Sequence, residues 1–277
     1  MSIPTPITFN ENESYFMKRA LTLAKMATGK TSPNPLVGCV IVKNNLIVGE
    51  GFHAKAGTLH AERHALAAAG DKAEGADVYV TLEPCSHYGR TPPCCDALIA
   101  AKVKKVYVAM TDPNPLVSGK GIAKLKDSGI TVISGLLEEE SKKMNESFIK
   151  AITSKLPFVL YKAALSLDGK TALESGDSSW ISSPKSREYV HQLRSELDVI
   201  MVGSKTANLD NPLLTSRIEN GRDPVRIIVD GKLSLLENAK VLSSSSTAPC
   251  IIAVSKAAPE EKIKLFNQLN NVEVWQY

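Results

Sequence analysis

Short apolar runs that alternate with helical segments are the feature that most limits what this chain can fold into. In the first half, VGCVIV is separated from LIVGEGF by Lys43-Asn44-Asn45, which predicts two strands joined by a tight turn. The later strands are predicted in ADVYVTLEP, KKVYVAM and ITVISG, and the segments between them have helical periodicity, with one helix predicted over EEESKKMNESFIKAIT. This alternation predicts a layered α/β domain over residues 1–150.

A second α/β unit is predicted for residues 151–277. Pro157 lies in a segment typical of a domain junction, and the length of 277 residues fits two domains of ordinary size. Strands are predicted in PFVLYKAALSLDG, DVIMVGS, PVRIIVD, APCIIAVS and VEVWQY, and helices in SPKSREYVHQLRSELD and PEEKIKLFNQLN. The sequence therefore predicts two α/β domains in tandem.

Composition and charge exclude several classes of protein. A content of 43% hydrophobic and 22% charged residues is typical of a soluble globular protein. No apolar run approaches the ~20 residues of a membrane-spanning helix. The net charge of +4 suits small anionic substrates and does not call for nucleic acid. Five cysteines, an odd number, without an export signal predict reduced thiols and a cytoplasmic protein.

Three possible zinc ligands occur at the ends of predicted elements. His60 opens a helix, Cys85 follows a strand, and Cys94 opens the next helix. One imidazole and two thiolates satisfy Zn²⁺ and leave its fourth tetrahedral position open to water. Glu62 lies two residues beyond the histidine, so its carboxylate can face that open position and move protons without ligating the metal. The pattern predicts a catalytic zinc site.

The same pattern leaves alternatives open. Zinc deaminases combine H-x-E with P-C-x-x-C, whereas eight residues separate Cys85 from Cys94 here. A structural zinc site would need a fourth protein ligand, which Cys95 or His87 could supply. A nucleic-acid base deaminase of the tRNA-adenosine type shares part of the motif, but it calls for C-x-x-C and a basic, aromatic surface. A catalytically silent zinc scaffold is a third alternative, although such a protein has no need of Glu62.

The longer spacing resembles one family of deaminases. HAE, TLEPCSHYGRTPPC and DPNPLVSGKG closely resemble the deaminase domain of the RibD family, bifunctional proteins of riboflavin biosynthesis. The resemblance runs over about the first 150 residues and implies a cytidine-deaminase-like α/β/α layered domain. It implies that His60, Cys85 and Cys94 bind Zn²⁺, that Glu62 shuttles the proton, and that Cys95 takes no part.

Polar residues around the predicted metal are expected to hold a substrate. The Arg90 guanidinium offers a charge-assisted fork for a phosphoribosyl group, and the Asn34 amide can contact the edge of a pyrimidine ring. His53 and Asn114 follow predicted strands, at the edge where α/β sheets bind ligands. The family resemblance implies substrate contacts for Asn34, His53, His87 and Arg90.

The second half resembles the reductase domain of the same family, a dihydrofolate-reductase-like fold that uses NADPH. The resemblance lies in KAALSLDGKTALESGDSSWISSP and RSELDVIMVGSKTANLDNPLLTSR. It implies NADPH contacts by Ala164, Trp180, Thr206 and Asp210, and substrate contacts by Lys162, Ser178, Arg194, Leu214 and Arg217. The family's domain continues further and includes a Glu-x-Gly-Gly-type turn that this sequence lacks. The reductase domain is therefore expected to be C-terminally incomplete.

The resemblance also implies the chemistry. The expected reaction is hydrolytic deamination of 2,5-diamino-6-(5-phosphoribosylamino)pyrimidin-4(3H)-one to 5-amino-6-(5-phosphoribosylamino)uracil. NADPH-dependent reduction of the ribosyl side chain is expected to follow if the second domain is complete. The expected partner is a small molecule and neither nucleic acid nor a membrane. Unpaired strand edges in an unfinished sheet also predict a homo-oligomer.

Overall fold

The computed structural model describes residues 9–88, 92–115, 117–175, 180–243 and 245–277. The chain divides into a first unit, Met1–Leu160, and a second unit, Tyr161–Tyr277. The domain boundary predicted between residues 150 and 151 stays a prediction, and a helix over Glu146–Ser154 runs across that position. None of the helices within these described ranges is long and apolar enough to cross a membrane.

A mixed five-stranded sheet forms the centre of the first unit. Its strands are β1 (Gly38–Lys43), β2 (Leu46–Phe52), β3 (Asp77–Leu82), β4 (Lys105–Met110) and β5 (Thr131–Ser134), in the order β2-β1-β3-β4-β5. Strand β1 is antiparallel to β2 and β3, and the pairs β3–β4 and β4–β5 are parallel. Asn44 and Asn45 join β1 to β2 with φ values of 53° and 60°, the backbone of a two-residue hairpin turn that asparagine tolerates.

Helices cover both faces of this sheet. These are α1 (Glu11–Lys25), α2 (Ala61–Ala69), α3 (Cys94–Ala100), α4 (Lys120–Asp127) and α5 (Glu138–Met144), and a further helix, α6 (Glu146–Ser154), packs on α5. The helix α1 begins with a capping box, in which the Asn10 side chain accepts from the Glu13 N–H and the Glu13 carboxylate accepts from the Asn10 N–H. The helix predicted over residues 138–153 is interrupted at Asn145, whose side chain contacts another segment.

Alternating strand residues supply two separate cores. One core lies between the sheet and helices α2, α3 and α4, and the other between the sheet and α1 with the residues before α5. The first contains Ile41, Val80, Val108, Ala65, Leu98 and Leu125, and the second contains Val40, Tyr79, Tyr107, Phe16, Met17 and Leu136. Because successive strand residues point to opposite faces, each strand contributes to both cores. The predicted α/β/α layered class is confirmed.

Helix α2 lies directly on strand β2 because of Gly51. A Cβ atom at this position would lie 2.5 Å from the Ala61 carbonyl oxygen and 2.6 Å from the Ala65 nitrogen. A side chain here would therefore push the helix away from the sheet. Because His60 and Glu62 are at the start of α2, this close approach places both next to the strand ends.

The sheet order brings four chain segments to one edge. Strands β3 and β4 are parallel and end there, and β2 also ends there because it is antiparallel to β1, which begins there. Residues 34–37 precede β1, His53 follows β2, Cys85 follows β3, and Asn114 follows β4. The residues predicted to form a site thus meet at the carboxyl ends of the parallel strands.

The second unit contains a parallel four-stranded sheet. Its strands are β6 (Val199–Gly203), β7 (Val225–Val229), β8 (Cys250–Val254) and β9 (Val272–Gln276), in that order, and its helices are α7 (Pro184–Glu196), α8 (Ser204–Asp210) and α9 (Glu260–Phe266). One face of the sheet is buried, with Ile228 and Ile252 packed in a core that includes Phe266. The opposite face leaves Met201 and Trp275 exposed.

The prediction of a strand over residues 157–169 is wrong. Within the described part of the second unit, no strand is hydrogen-bonded to this segment, and its bulky residues Val159, Tyr161 and Leu167 are exposed. Apolar alternation alone does not hold a strand, because an isolated strand leaves its backbone groups without partners.

Candidate active site

Three metal-ligating side chains converge at the sheet edge. His60 is the N-cap residue of α2, Cys85 follows β3, and Cys94 is the first residue of α3. The His60 Nδ1 atom lies 3.6 Å from Cys85 Sγ and 3.3 Å from Cys94 Sγ, and all three ligand atoms lie within 4.8 Å of one another. The predicted ligands are thus assembled from three different elements.

These distances fit a tetrahedral zinc ion. Bond lengths of about 2.05 Å to nitrogen and 2.3 Å to sulfur place neighbouring nitrogen and sulfur ligands about 3.6 Å apart. The two observed distances lie close to that value, and the imidazole and thiol donors suit zinc. Among the described residues, the group holds three protein ligands and no fourth.

The two candidates for a fourth ligand lie elsewhere. Cys95 is buried, and its thiol donates to the carbonyl oxygens of Pro84, at 3.2 Å, and Gly121, at 3.5 Å. Burial raises the pKa of the Cys95 thiol to about 12, which keeps it protonated. His87 is exposed on the loop after Cys85. Both positions favour an open fourth coordination position over a closed structural site.

Local hydrogen bonds favour the thiolate form of Cys85. The Cys94 thiol is the main cause that lowers the pKa of Cys85, to about 4, and His60 and the Cys94 backbone N–H add to it. That N–H donates to Cys85 Sγ at 3.2 Å. The Cys94 pKa is raised because its proton is held against Cys85. Since metal ligands are thiolates, the site binds a cation with loss of a proton.

Glu62 is a buried carboxyl group beside these ligands. It lies in the first turn of α2, is 3% exposed, and interacts with the Cys94 side chain. Burial raises the pKa of Glu62. A carboxyl group with a raised pKa can hold and return a proton nearer to neutral pH than an exposed one, as a general acid–base group must.

Asn34 and His53 form a hydrogen-bonded pair next to the metal ligands. Asn34 Nδ2 lies 3.1 Å from His53 Nε2, and His53 Nδ1 lies 3.1 Å from the Leu59 carbonyl oxygen. A carbonyl can only accept, so Nδ1 carries the proton and Nε2 accepts from the Asn34 amide. Asn34 thus uses one N–H of Nδ2 for His53, and its Oδ1 is an acceptor that a ligand can use. The His53 and His60 rings are edge to face at 5.5 Å.

We expect His53 to titrate below the ordinary histidine pKa of 6.5. Burial is the main cause that lowers the pKa of His53, with further contributions from His60 and His64. As pH falls, His53 therefore takes up its proton in the unfolded chain before it does so in the folded chain. The contribution of neutral His53 to the free energy of unfolding is fully present above pH 6.5 and is lost as pH falls through the folded pKa. An NMR titration of the histidine rings tests this, with a His53→Gln variant to assign the signal. A midpoint above 6.5 would contradict the lowering of the His53 pKa by burial.

Asn114 is held near the site by a residue to which the sequence assigned no role. The buried Glu83 carboxylate accepts from four backbone N–H groups, those of Asp112 and Gly119 through one oxygen and those of Gly121 and Ile122 through the other. Glu83 thus ties the loop that carries Asn114 to the end of β3. Its place in TLEPC, two residues before the candidate ligand Cys85, is the signal that the sequence offers for it.

Two further residues that the sequence analysis did not single out form hydrogen bonds between segments at this edge of the sheet. The Arg63 guanidinium donates to the Pro92 carbonyl at 3.0 Å, which links α2 to the segment before Cys94. Asn145 is buried and pairs with the backbone of Leu36. An arginine or asparagine on a predicted helix carries no pattern that distinguishes such contacts from solvent exposure.

The remaining predicted residues of the first unit are less enclosed. His87 is exposed, and Tyr88 beside it is also exposed. Arg90 lies outside the described residues. Their contact with a substrate stays a prediction.

The residues predicted for the second unit are distributed over several segments. Lys162 is exposed and Ala164 half-buried on the segment before α7, whereas Ser178 lies outside the described residues. Thr206 and Asp210 are exposed, one turn apart on α8. Trp180 is exposed, with the Arg187 guanidinium 4.3 Å from its ring centre.

Arg194 is joined to the segment that carries the other predicted substrate residues. Its Nη1 donates to the Thr215 carbonyl oxygen at 3.3 Å, between buried Leu214 and exposed Arg217. Burial is the main cause that lowers the Arg194 pKa, and the charge of Arg217 adds to it. This arrangement brings two cationic groups together.

Two family models match the chain. The first, described as the cytidine and deoxycytidylate deaminase zinc-binding region, matches residues 10–110. The second, described as the RibD C-terminal domain, matches residues 157–276. The first match lies within the first unit and includes all three candidate zinc ligands, and the second begins at the end of the first unit and covers nearly all of the second.

Curated relatives match across both units. The riboflavin biosynthesis protein RibD of Aquifex aeolicus is 48% identical over 255 residues, which cover 92% of this chain and 72% of the relative. RibD of Bacillus amyloliquefaciens is 46% identical over 254 residues, which cover 91% of this chain and 68% of the relative.

Solved structures agree with these matches. RibD of Acinetobacter baumannii has a TM-score of 0.82 at 43% identity, with 96% of this chain and 74% of that chain covered. A diaminohydroxyphosphoribosylaminopyrimidine deaminase/5-amino-6-(5-phosphoribosylamino)uracil reductase of Thermotoga maritima has a TM-score of 0.83 at 42% identity, with 96% and 81% covered. These similarities give no support to a nucleic-acid base deaminase or to a silent scaffold.

Proposed function

The chain belongs to the RibD family of riboflavin-biosynthesis enzymes, and on that premise we propose that its first unit deaminates a phosphoribosylaminopyrimidine. The substrate is 2,5-diamino-6-(5-phosphoribosylamino)pyrimidin-4(3H)-one, and the product is 5-amino-6-(5-phosphoribosylamino)uracil. The single observation that carries this proposal is the cluster of His60, Cys85 and Cys94 with buried Glu62 beside it. This cluster combines a three-ligand zinc site with a proton-transfer group.

The residues of the site divide the work of the reaction. When bound, zinc supplies the Lewis acidity that activates water for attack on the ring carbon bearing the amino group. His60, Cys85 and Cys94 hold the ion, and helix α2 keeps His60 and Glu62 in one turn. Glu62 takes a proton from the attacking water and delivers it to the departing amine, a cycle that suits a carboxyl group with a raised pKa.

Neighbouring polar groups orient the pyrimidine. Asn34 Oδ1 accepts from a ring N–H, while Nδ2 remains bonded to His53. Asn114 contacts the substrate from the loop after β4. His87 and Arg90, on the loop between the two cysteine ligands, bind the phosphoribosyl group, whose negative charge suits a guanidinium.

The second unit reduces the ribosyl side chain with NADPH. The polar groups of Thr206 and Asp210 are exposed next to the carboxyl end of β6, where α/β sheets bind cofactors, and so fit this role. NADPH supplies the hydride when bound, and the chain orients the two reactants. The cofactor contacts are Ala164, Trp180, Thr206 and Asp210, and the substrate contacts are Lys162, Ser178, Arg194, Leu214 and Arg217.

A paired assay separates the two activities. We expect the zinc-loaded chain to release ammonia from the diaminopyrimidine substrate and then to oxidise NADPH. Ammonia without NADPH oxidation would leave the deaminase proposal intact and overturn the reductase proposal. No ammonia from a zinc-loaded chain would overturn the deaminase proposal.

Two different sets of residues support proposals about assembly and compartment. Exposed Met201, Val229 and Trp275 on one sheet face support a homo-oligomer, because burying such apolar groups is favourable. Sedimentation at several concentrations tests this, and a monomer throughout would contradict it. The thiols of the metal site must stay reduced, which supports a cytoplasmic location.

A further inference from the structure

Asn145 makes a paired contact with a segment more than a hundred residues away in sequence. It lies between α5 and α6 and is 2% exposed. Its Oδ1 accepts from the Leu36 N–H at 2.8 Å, and its Nδ2 donates to the Leu36 carbonyl oxygen at 3.0 Å. The side-chain amide therefore satisfies both backbone groups of Leu36, as a neighbouring strand would.

Leu36 lies in the segment that carries the Asn34–His53 pair. Strand β1 begins only at Gly38, so residues 34–37 precede the ladder of the sheet. The next residue, Val37, accepts from the His53 N–H at 2.9 Å, and Asn34 lies two residues before Leu36. The Asn145 amide thus fixes the middle of a short segment whose two ends both contact His53: the Asn34 side chain bonds to the His53 ring, and the Val37 carbonyl bonds to the His53 N–H.

Helix capping does not account for the contacts of the Asn145 side chain. Asn145 ends α5 and begins α6, but its side chain caps neither helix and is committed to Leu36. A buried polar group that meets both its donor and its acceptor partners with good geometry specifies one arrangement of the segments that it joins. Here it joins the α5–α6 junction to residues 34–37, which carry the proposed substrate-binding Asn34.

We propose that Asn145 is a positioning residue that holds the Asn34–His53 pair in place for the pyrimidine ring. This inference rests on the proposed deaminase function for its kinetic readout. Asn145 does not contact the reacting atoms and acts through Leu36. The proposal predicts a loss of substrate binding without loss of the metal site.

The first test is kinetic, with Asn145→Ala and Asn145→Asp. The aspartate keeps the acceptor for the Leu36 N–H but places an oxygen against the Leu36 carbonyl. Misplaced binding groups reduce enzyme efficiency by up to about 100-fold, and we expect KM for the pyrimidine to rise at least about 10-fold with kcat less affected. Zinc content is expected to be unchanged. A KM equal to that of the unaltered chain in both variants would overturn the proposal.

Ser141→Ala is the matched control. Ser141 is buried on α5, the helix that ends just before Asn145, and its Oγ donates to the Thr81 carbonyl at 2.6 Å. This variant also loses one buried hydrogen bond, worth about 1 kcal/mol, but the lost bond is to the backbone of Thr81 and not to Leu36. We expect a similar fall in Tm and an unchanged KM. An equal rise in KM in the control would show a general loss of structure and overturn the positioning role.

A second readout does not depend on activity. The chain has five histidines, so ring signals in an isotope-labelled protein can be assigned one by one. We expect the His53 signals to move in both Asn145 variants and to stay in place in Ser141→Ala. If the unaltered chain releases no ammonia, the proposed function fails, and the His53 signals still decide the positioning role. Unmoved His53 signals would overturn it.

Discussion

Glu62→Gln is expected to lower the rate of ammonia release by about 1,000-fold, within the range for removal of a general acid–base group. Glutamine has nearly the same shape as glutamate but cannot take up and return a proton. Glu62 is not one of the three ligating side chains, so the zinc content is expected to stay the same. The fold is also expected to stay intact, because the change removes the cost of burying a charged group.

Glu74→Gln is the matched control for this variant. Glu74 lies in the same unit, and its exposed carboxylate is 3.4 Å from the Lys102 ammonium group. Exposed ion pairs contribute little, so its kcat and zinc content are expected to match those of the unaltered chain. Near-normal turnover by Glu62→Gln would contradict the role assigned to this carboxyl group.

Cys94→Ser is expected to remove the metal and with it all ammonia release. A hydroxyl is a much poorer zinc ligand than a thiolate. Altering a residue that only hydrogen-bonds to a ligand lowers metal affinity by up to about 100-fold, so loss of the ligand itself is expected to lower zinc affinity by more than that. Zinc per chain after dialysis is the measurement. The thermal midpoint is expected to lose its dependence on added zinc, since a ligand that binds only the folded state stabilises it.

The adjacent Cys95→Ser is the control. Cys95 is equally buried, but its thiol donates to the carbonyls of Pro84 and Gly121, contacts that a serine hydroxyl can also make. We expect this variant to keep zinc and activity. If Cys95→Ser lost zinc while Cys94→Ser kept it, the ligand assignment would be wrong.

The three candidate zinc ligands could be picked out from the sequence because their spacing and their positions at element ends both follow from local sequence, and the structure brings them together. His60, Cys85 and Cys94 each begin or follow an element that hydrophobic periodicity predicts. The layered first unit was predictable for the same reason, since its strands and helices differ in period.

The contacts that position the site could not be predicted in this way. Glu83 accepts from backbone groups of a loop, and Asn145 pairs with Leu36, 109 residues away in sequence. Such contacts depend on which strand ends share a sheet edge, which periodicity does not specify. The strand prediction for residues 157–169 was wrong for a related reason: apolar alternation does not reveal whether a strand has a neighbour to pair with.

The origin of the new oxygen in the product tests the central claim most directly. The zinc-loaded chain would be incubated with the diaminopyrimidine in heavy-oxygen water, and product mass and ammonia would be followed together, with Glu62→Gln beside it. We expect one labelled oxygen in the aminouracil product for each ammonia released, and both products to form about 1,000-fold more slowly in the variant. Ammonia without label, or no ammonia from a zinc-loaded chain, would contradict hydrolytic deamination at this site.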